Sequence, residues 1–266
     1  WKAGGSKNTF NVDDVGYASA AAAGLNGGTL TVTGASVGTK QGFSIIKFTG
    51  TGVAGSVSHG LTQKPDFIIA KNIDGTPNDW PVHHSSLTDG TYTLYLNGTA
   101  AASAATAIWP SASTDSVINV GSGAVINESA NSTILYSWHD VPGLQKFGEY
   151  VGNGNANGAF IELGFRPKII IAKASTGGGS VPDWLIFDSE RDSINPADKN
   201  LSANYAGQEQ YYTGGLLRPT DIDILSNGFK IRNTRDANNA NGSNFIYAAW
   251  AEAPSVDLYG GGANAR

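Results

Sequence analysis

The chain has 266 residues, enough for one large or two medium cores, with 40 % hydrophobic residues and only 15 % charged ones. A net charge of −5 and a pI near 5.3 leave no basic footprint, so no nucleic-acid partner is expected. Cysteine is absent, which excludes disulfides, thiolate metal sites and cysteine nucleophiles together, and no apolar run approaches the roughly 18 residues of a membrane-crossing helix. Methionine is absent too and the chain opens at Trp1, so a piece of a longer polypeptide, or a processed form, is expected.

Residues 1–41 combine an Ala run, Ala20–Ala23, with scattered Gly and Ser and one short alternating stretch, Thr29–Val32. Such a segment buries too little apolar surface to fold alone, and it reads as an extended N-terminal arm or connector. From Gly42 the sequence repeats itself. KFTGTGVAGSVSHGLTQKPDFIIAK (47–71) aligns end to end with EYVGNGNANGAFIELGFRPKIIIAK (149–173). Gly50 and Gly52 fall on Gly152 and Gly154, and Pro65 falls on Pro167. Each copy then carries an Asp-Trp, at Asp79-Trp80 and Asp183-Trp184. Each closes on an aromatic strand, STILYSWHDVP (132–142) or NFIYAAWAEAP (244–254). Ordered landmarks at this period predict internal duplication of a unit of about a hundred residues.

Within each copy the pattern is that of antiparallel β-structure. Phe43–Phe48 and Phe147–Val151 are strand-like and run into Gly- and Asn-rich corners that need positive φ. Phe67–Ala70 and Ile169–Ala172 are continuous apolar runs of the kind found in central strands. Ile222–Leu225, Asn227-Gly228 and Phe229–Arg232 predict a hairpin. No stretch shows helical periodicity. The expected architecture is all-β: two tandem β-sandwich domains at 42–143 and 144–256, related by duplication, with a tail at 257–266.

Few residues suggest chemistry. His83-His84 would send its rings to opposite faces of a strand, which argues against a shared metal ion. Asp188, Glu190 and Asp192 alternate as paired carboxylates might, but glycoside hydrolysis needs its acids on opposite sides of a sugar, and Arg191 is a neutralising neighbour. They read as a turn. Asp221-Ile-Asp223 lacks the Gly and closing Glu of a calcium loop, and there is no nucleophile elbow or phosphate loop. No catalytic residue, cofactor or metal is therefore expected. Trp80, Trp138, Trp184 and Trp250 recur with the repeat and read as core. The non-repeated aromatics are the candidate contacts for a receptor or glycan: Tyr205, Tyr211 and Tyr212 in ANYAGQEQYYTGG, and Trp109 in AIWPSAS.

The string GFSIIKFTGTG…KPDFIIAKN…DW, then FGEYVGNGN…RPKIIIAK…DWLIFDSERD…LSNGFKIR…FIYAAWAEAP, resembles a tandem domain of marine bacteriophage virion proteins, cyanophages among them. The resemblance covers about 42–256, and the leader and the GGGANAR ending are similar as well. It implies a non-enzymatic structural role in the virion, an extracellular particle, in a tail fibre or similar appendage that takes part in host attachment. It also implies partners: other virion proteins, own copies in a homotrimer, and a host surface glycan or protein. A capsid decoration or head-fibre protein, a carbohydrate-binding module and a glycosidase are the alternatives.

Overall fold

A computed structural model describes residues 8–75, 79–177, 183–206, 209 and 221–252. The chain is all-β: among these residues, every regular element except two single-turn helices is a strand. None of the helices is long and apolar enough to cross a membrane. Two compact units divide it, unit 1 comprising Trp1–Leu96 and Ser103–Asp140, unit 2 comprising Asn97–Ala102 and Val141–Arg266.

Unit 1 contains β1 (Phe10–Val12), β2 (Val15–Tyr17), β3 (Val32–Gly38), β4 (Phe43–Thr49), β5 (Gly55–Ser58), β6 (Phe67–Asn72), β7 (Pro81–His84), β8 (Tyr92–Tyr95), β9 (Ser103–Ala104), β10 (Val117–Val120), the turn of helix α1 (Ala124–Asn127) and β11 (Ser132–Trp138). A large sheet runs β2-β1-β3-β4-β11-β6-β7-β8-β9, and β5 pairs with β10 in a small one. Alternation explains which side is buried. Ile46 and Phe48, Ile68 and Ala70, and Leu135 share a core with Val57, Ile118 and Val120 of the small sheet. The result is a sandwich-like pair of layers, and each fully buried Ile or Phe contributes about 2 kcal/mol.

The lead-in is not a separate arm. Its β3 pairs antiparallel with β4 from Gly38↔Phe43 to Val32↔Phe48, and Leu25, Leu30, Val32, Ala35 and Val37 are buried in the unit 1 core. The segment is too poor in apolar residues to fold by itself. It orders because β4 offers a strand edge, and the turn at 39–42 delivers β3 to it directly. The first domain thus begins well before residue 42, and Asn97–Ala102 belongs to the second.

Unit 2 contains β12 (Gln145–Val151), β13 (Phe160–Glu162), β14 (Pro167–Ala174), β15 (Leu185–Asp188), β16 (Leu201–Ser202), β17 (Ile222–Leu225), β18 (Gly228–Ile231), helical turn α2 (Asp236–Asn239) and β19 (Asn244–Ala251). One sheet runs β12-β19-β14-β15-β16 and the other β13-β18-β17. Ile170, Leu185, Phe187, Phe245 and Tyr247 meet Ile161, Ile222, Ile224, Phe229 and Ile231 in its core. The β17–β18 hairpin forms as expected, with Leu225 opposite Gly228. Its turn, however, is Ser226-Asn227, and Gly228 belongs to the strand. Gly228 is needed there because a Cβ would lie 2.0 Å from the Ile161 carbonyl oxygen of β13.

The two units share one wiring. The order β4-β11-β6-β7 in unit 1 is β12-β19-β14-β15 in unit 2, antiparallel throughout. Trp138 stands opposite Phe43 and Phe67, and Trp250 opposite Gln145 and Ile169. The Gly-rich corners match as well. The Asn127 side chain is fully buried: its Oδ1 accepts the Thr51 N–H at 2.9 Å, and its Nδ2 donates to Val53 O and Gly121 O. Asn239 does the same for Asn153 N–H, Asn155 O and Asn233 O. Gly50 and Gly152 leave room for these clips. A Cβ would lie 2.2 Å from Glu128 O at the first and 2.3 Å from Ala240 O at the second.

Candidate contact surface

The candidate contact residues do not share one environment. Trp109 is a correction: only 2 % exposed, it packs in the unit 1 core, with its indole N–H donating to Thr93 Oγ1 at 3.2 Å. An isolated Trp between Ile108 and Pro110 in a small-residue segment reads as surface in sequence. In the fold it is among the largest fully buried side chains. Tyr211 and Tyr212 lie outside the described residues. Tyr205 is 60 % exposed.

The backbone that presents Tyr205 is firmly tied. Strand β16 pairs with β15 at Leu185↔Ser202 and Ile186↔Leu201, and the Ala203 N–H then donates to Trp184 O at 3.3 Å. The Asn204 Oδ1 accepts the Trp184 N–H at 2.8 Å, while its Nδ2 donates to Asp183 Oδ1 at 2.7 Å. Trp184 itself is buried, so the residue immediately before Tyr205 is pinned to the core of unit 2. Ile194 and Leu201 are also exposed in this stretch, at 77 % and 39 %. The sequence reading missed both. The signal was two apolar residues isolated among polar ones, just ahead of the insertion that carries Tyr205.

The neighbouring carboxylates build the loop. The Asp188 side chain accepts the N–H groups of Glu190 and Arg191 at 3.0 and 2.8 Å and also the Arg191 guanidinium, which reaches on to Glu209 at 3.0 Å. Burial pushes the Asp188 carboxyl upward, but the hydrogen bonds and charge of Arg191 outweigh it and hold the group below the usual carboxylate range. Asp192 accepts the N–H groups of Asp198 and Lys199 at 2.7 and 3.0 Å, and Glu190 pairs with Lys168 at 3.0 Å. These three acids face separate partners rather than one cavity.

The two histidines of β7 also diverge. His83 stands opposite Ile68 with its ring 6.1 Å from Trp109, whereas His84 stands opposite Phe67, ring to ring at 5.9 Å. Asp223 is paired with Arg232 at 3.2 Å. Among the described residues no group of three His, Asp or Glu side chains could hold a metal ion. Of the recurring tryptophans, Trp138, Trp184 and Trp250 are buried, while Trp80 is half-buried beneath the Lys71 ammonium, 5.1 Å from its ring centroid.

A model of one protein family, a domain of unknown function designated DUF7483, matches residues 7–254. The chain belongs to that family. The DUF7483 match takes in the lead-in from residue 7 onward, in agreement with the strands that segment adds to unit 1. No curated protein and no solved structure matches the chain.

Proposed function

We propose that this DUF7483 chain is a non-enzymatic structural module of a bacteriophage virion, part of a tail fibre or similar appendage, and that unit 2 contacts the host surface through the stretch around Tyr205. The resemblance of the repeat to marine phage virion proteins supports the virion role. The single observation behind the contact surface is the exposed Tyr205 ring beside a backbone pinned by Asn204 and Trp184. An aromatic carried on a pinned backbone loses less entropy on binding than one on a free loop, and its face suits a sugar ring or an apolar protein patch. We read the common wiring of the two units, down to the Asn127 and Asn239 clips, as the product of internal duplication. The polar insertion found only in unit 2 is then where the copies diverged in use. Own copies in a trimer, and neighbouring virion proteins, are the partners of this reading.

The test is binding of the purified chain to intact cells of the bacterium its parent particle infects, and to a glycan array. Tyr205→Ala should weaken binding about tenfold or more, as the loss of one anchoring ring does, and leave the melting temperature within a degree or two. Undiminished binding would move the contact elsewhere. Cleavage of host polysaccharide that Glu190→Gln abolishes would replace the non-enzymatic reading by a glycosidase.

A further inference from the structure

All four histidines of the chain, His59, His83, His84 and His139, lie in unit 1, and all are buried, the most exposed being His83 at 8 %. Unit 2 has none. His59 directly follows β5. Its Nδ1 accepts the N–H of Leu61 at 3.1 Å, and its Nε2 lies 3.2 Å from the Thr114 carbonyl oxygen. An amide N–H can only donate and a carbonyl can only accept, so His59 is fixed as the neutral tautomer with its hydrogen on Nε2. His84 has the same acceptor geometry, its Nδ1 taking the Ser86 N–H at 3.1 Å. A proton added at either Nδ1 would set a donor against a donor and bury a cation.

The His59 corner carries part of the fold. The His59 N–H donates to Ser116 O, extending the β5–β10 pair. Next to it Gly60, at φ +72°, lies so close to the core that a Cβ would be 2.8 Å from Leu25 and 3.0 Å from Val37. A bond lost at His59 is therefore transmitted to the lead-in and to the small sheet.

We propose that unit 1 is an acid switch triggered at His59: protonation of the buried His59 and His83 opens the β5–β10 side of this unit while unit 2 keeps its fold. Burial holds His59 below the ordinary imidazole value of 6.5. The Thr114 carbonyl and Asp115 favour its cation without outweighing burial, and His139 opposes it. His83 is lowered in the same way by burial, with Lys64 acting alongside it and Tyr92 O and Asp89 against it. The opened form binds protons near 6.5, whereas the closed form binds them less readily. The stabilisation is therefore complete above pH 6.5 and is lost as pH falls below it. Each such histidine shifts the opening equilibrium by up to about tenfold per pH unit. The device is independent of the proposed contact surface, which lies in the histidine-free unit.

Amide hydrogen exchange on the full chain at pH 7.5 and 5.5, corrected for intrinsic rates, reads it directly. Peptides from β5 and β10 should lose about tenfold or more of their protection at pH 5.5, while those from β14 and β19 stay within about twofold. Equal loss in both units, or none in unit 1, overturns the proposal. His59→Asn keeps an acceptor for the Leu61 N–H and cannot titrate, so it should remove most of the acid response. A full response in that variant rules out His59 as the trigger. Should the variant fail to fold, the ring protons of the unsubstituted chain decide by NMR. His59 should stay neutral until unit 1 opens, and an ordinary titration near 6.5 with β5 still protected would overturn the proposal.

Discussion

Asn127 and Asn239 show how much one side chain can hold. Each offers one acceptor and two donors, and each finds all three partners inside the fold. Replacement by alanine would take the partner from one buried carbonyl, Gly121 O or Asn233 O, and from a part-buried amide and carbonyl beside it. Asn127→Ala and Asn239→Ala should therefore each cost about 3 kcal/mol of the stability of their own unit, measured by urea denaturation. A loss below about 1 kcal/mol would mean that water replaces the clip. The glycines these clips embrace were legible in the sequence, because Gly50, Gly52, Gly152 and Gly154 align. The asparagines were not, since in an Asn-rich chain nothing local distinguishes a buried Asn from a turn residue. Trp109 illustrates the opposite problem: its small polar surroundings in sequence say nothing about the strands that fold over it.

At the scale of elements, edges explain most of what differs between the units. The outer edge of β4 is covered by β3, β1 and β2, whereas β12, its counterpart, is the edge of its sheet among the described residues. Only residues 139–144 join β11 to β12, too few to supply a covering strand. Lys146 and Glu149 on β12 provide the charge with which exposed edges discourage pairing. Residues 1–41 read as a connector because their apolar positions are sparse, and the partner that makes them a sheet lies beyond them in the chain. Deleting residues 1–38 should therefore unfold unit 1 or make it aggregate, while leaving unit 2 protected from hydrogen exchange. A deletion that left unit 1 folded would restore the connector reading. On β14, the fully buried Lys173 donates to Thr99 O at 3.0 Å, and burial lowers its ammonium to about 8, against a smaller opposing effect of Asp183. A base with a lowered folded value binds its proton more readily when unfolded. Unit 2 should thus gain stability as pH rises from about 8 towards 10.5, and Lys173→Met should abolish that gain in denaturation curves. The unit 1 counterpart of this lysine, Lys71, caps the half-buried Trp80, a difference the matched octets KPDFIIAK and RPKIIIAK do not disclose.

For the whole molecule, the all-β class and the division into two units were legible because the repeat carries its landmarks in order, and strand periodicity survives in both copies. The placement of Asn97–Ala102 with unit 2 was not, since it depends on contacts across the chain. The function rests on a different kind of inference: an aromatic contact on a rigid β-scaffold, and the likeness of the repeat to virion proteins. The virion location is the central claim of that proposal. Immunogold labelling of purified phage particles with antibodies raised against unit 2 tests this most directly. The account predicts gold along a tail appendage, three copies to each fibre. Gold on the head would transfer the chain to a head-fibre or decoration role, and particles that bear no label, from lysates in which the chain is abundant, would contradict the virion assignment itself.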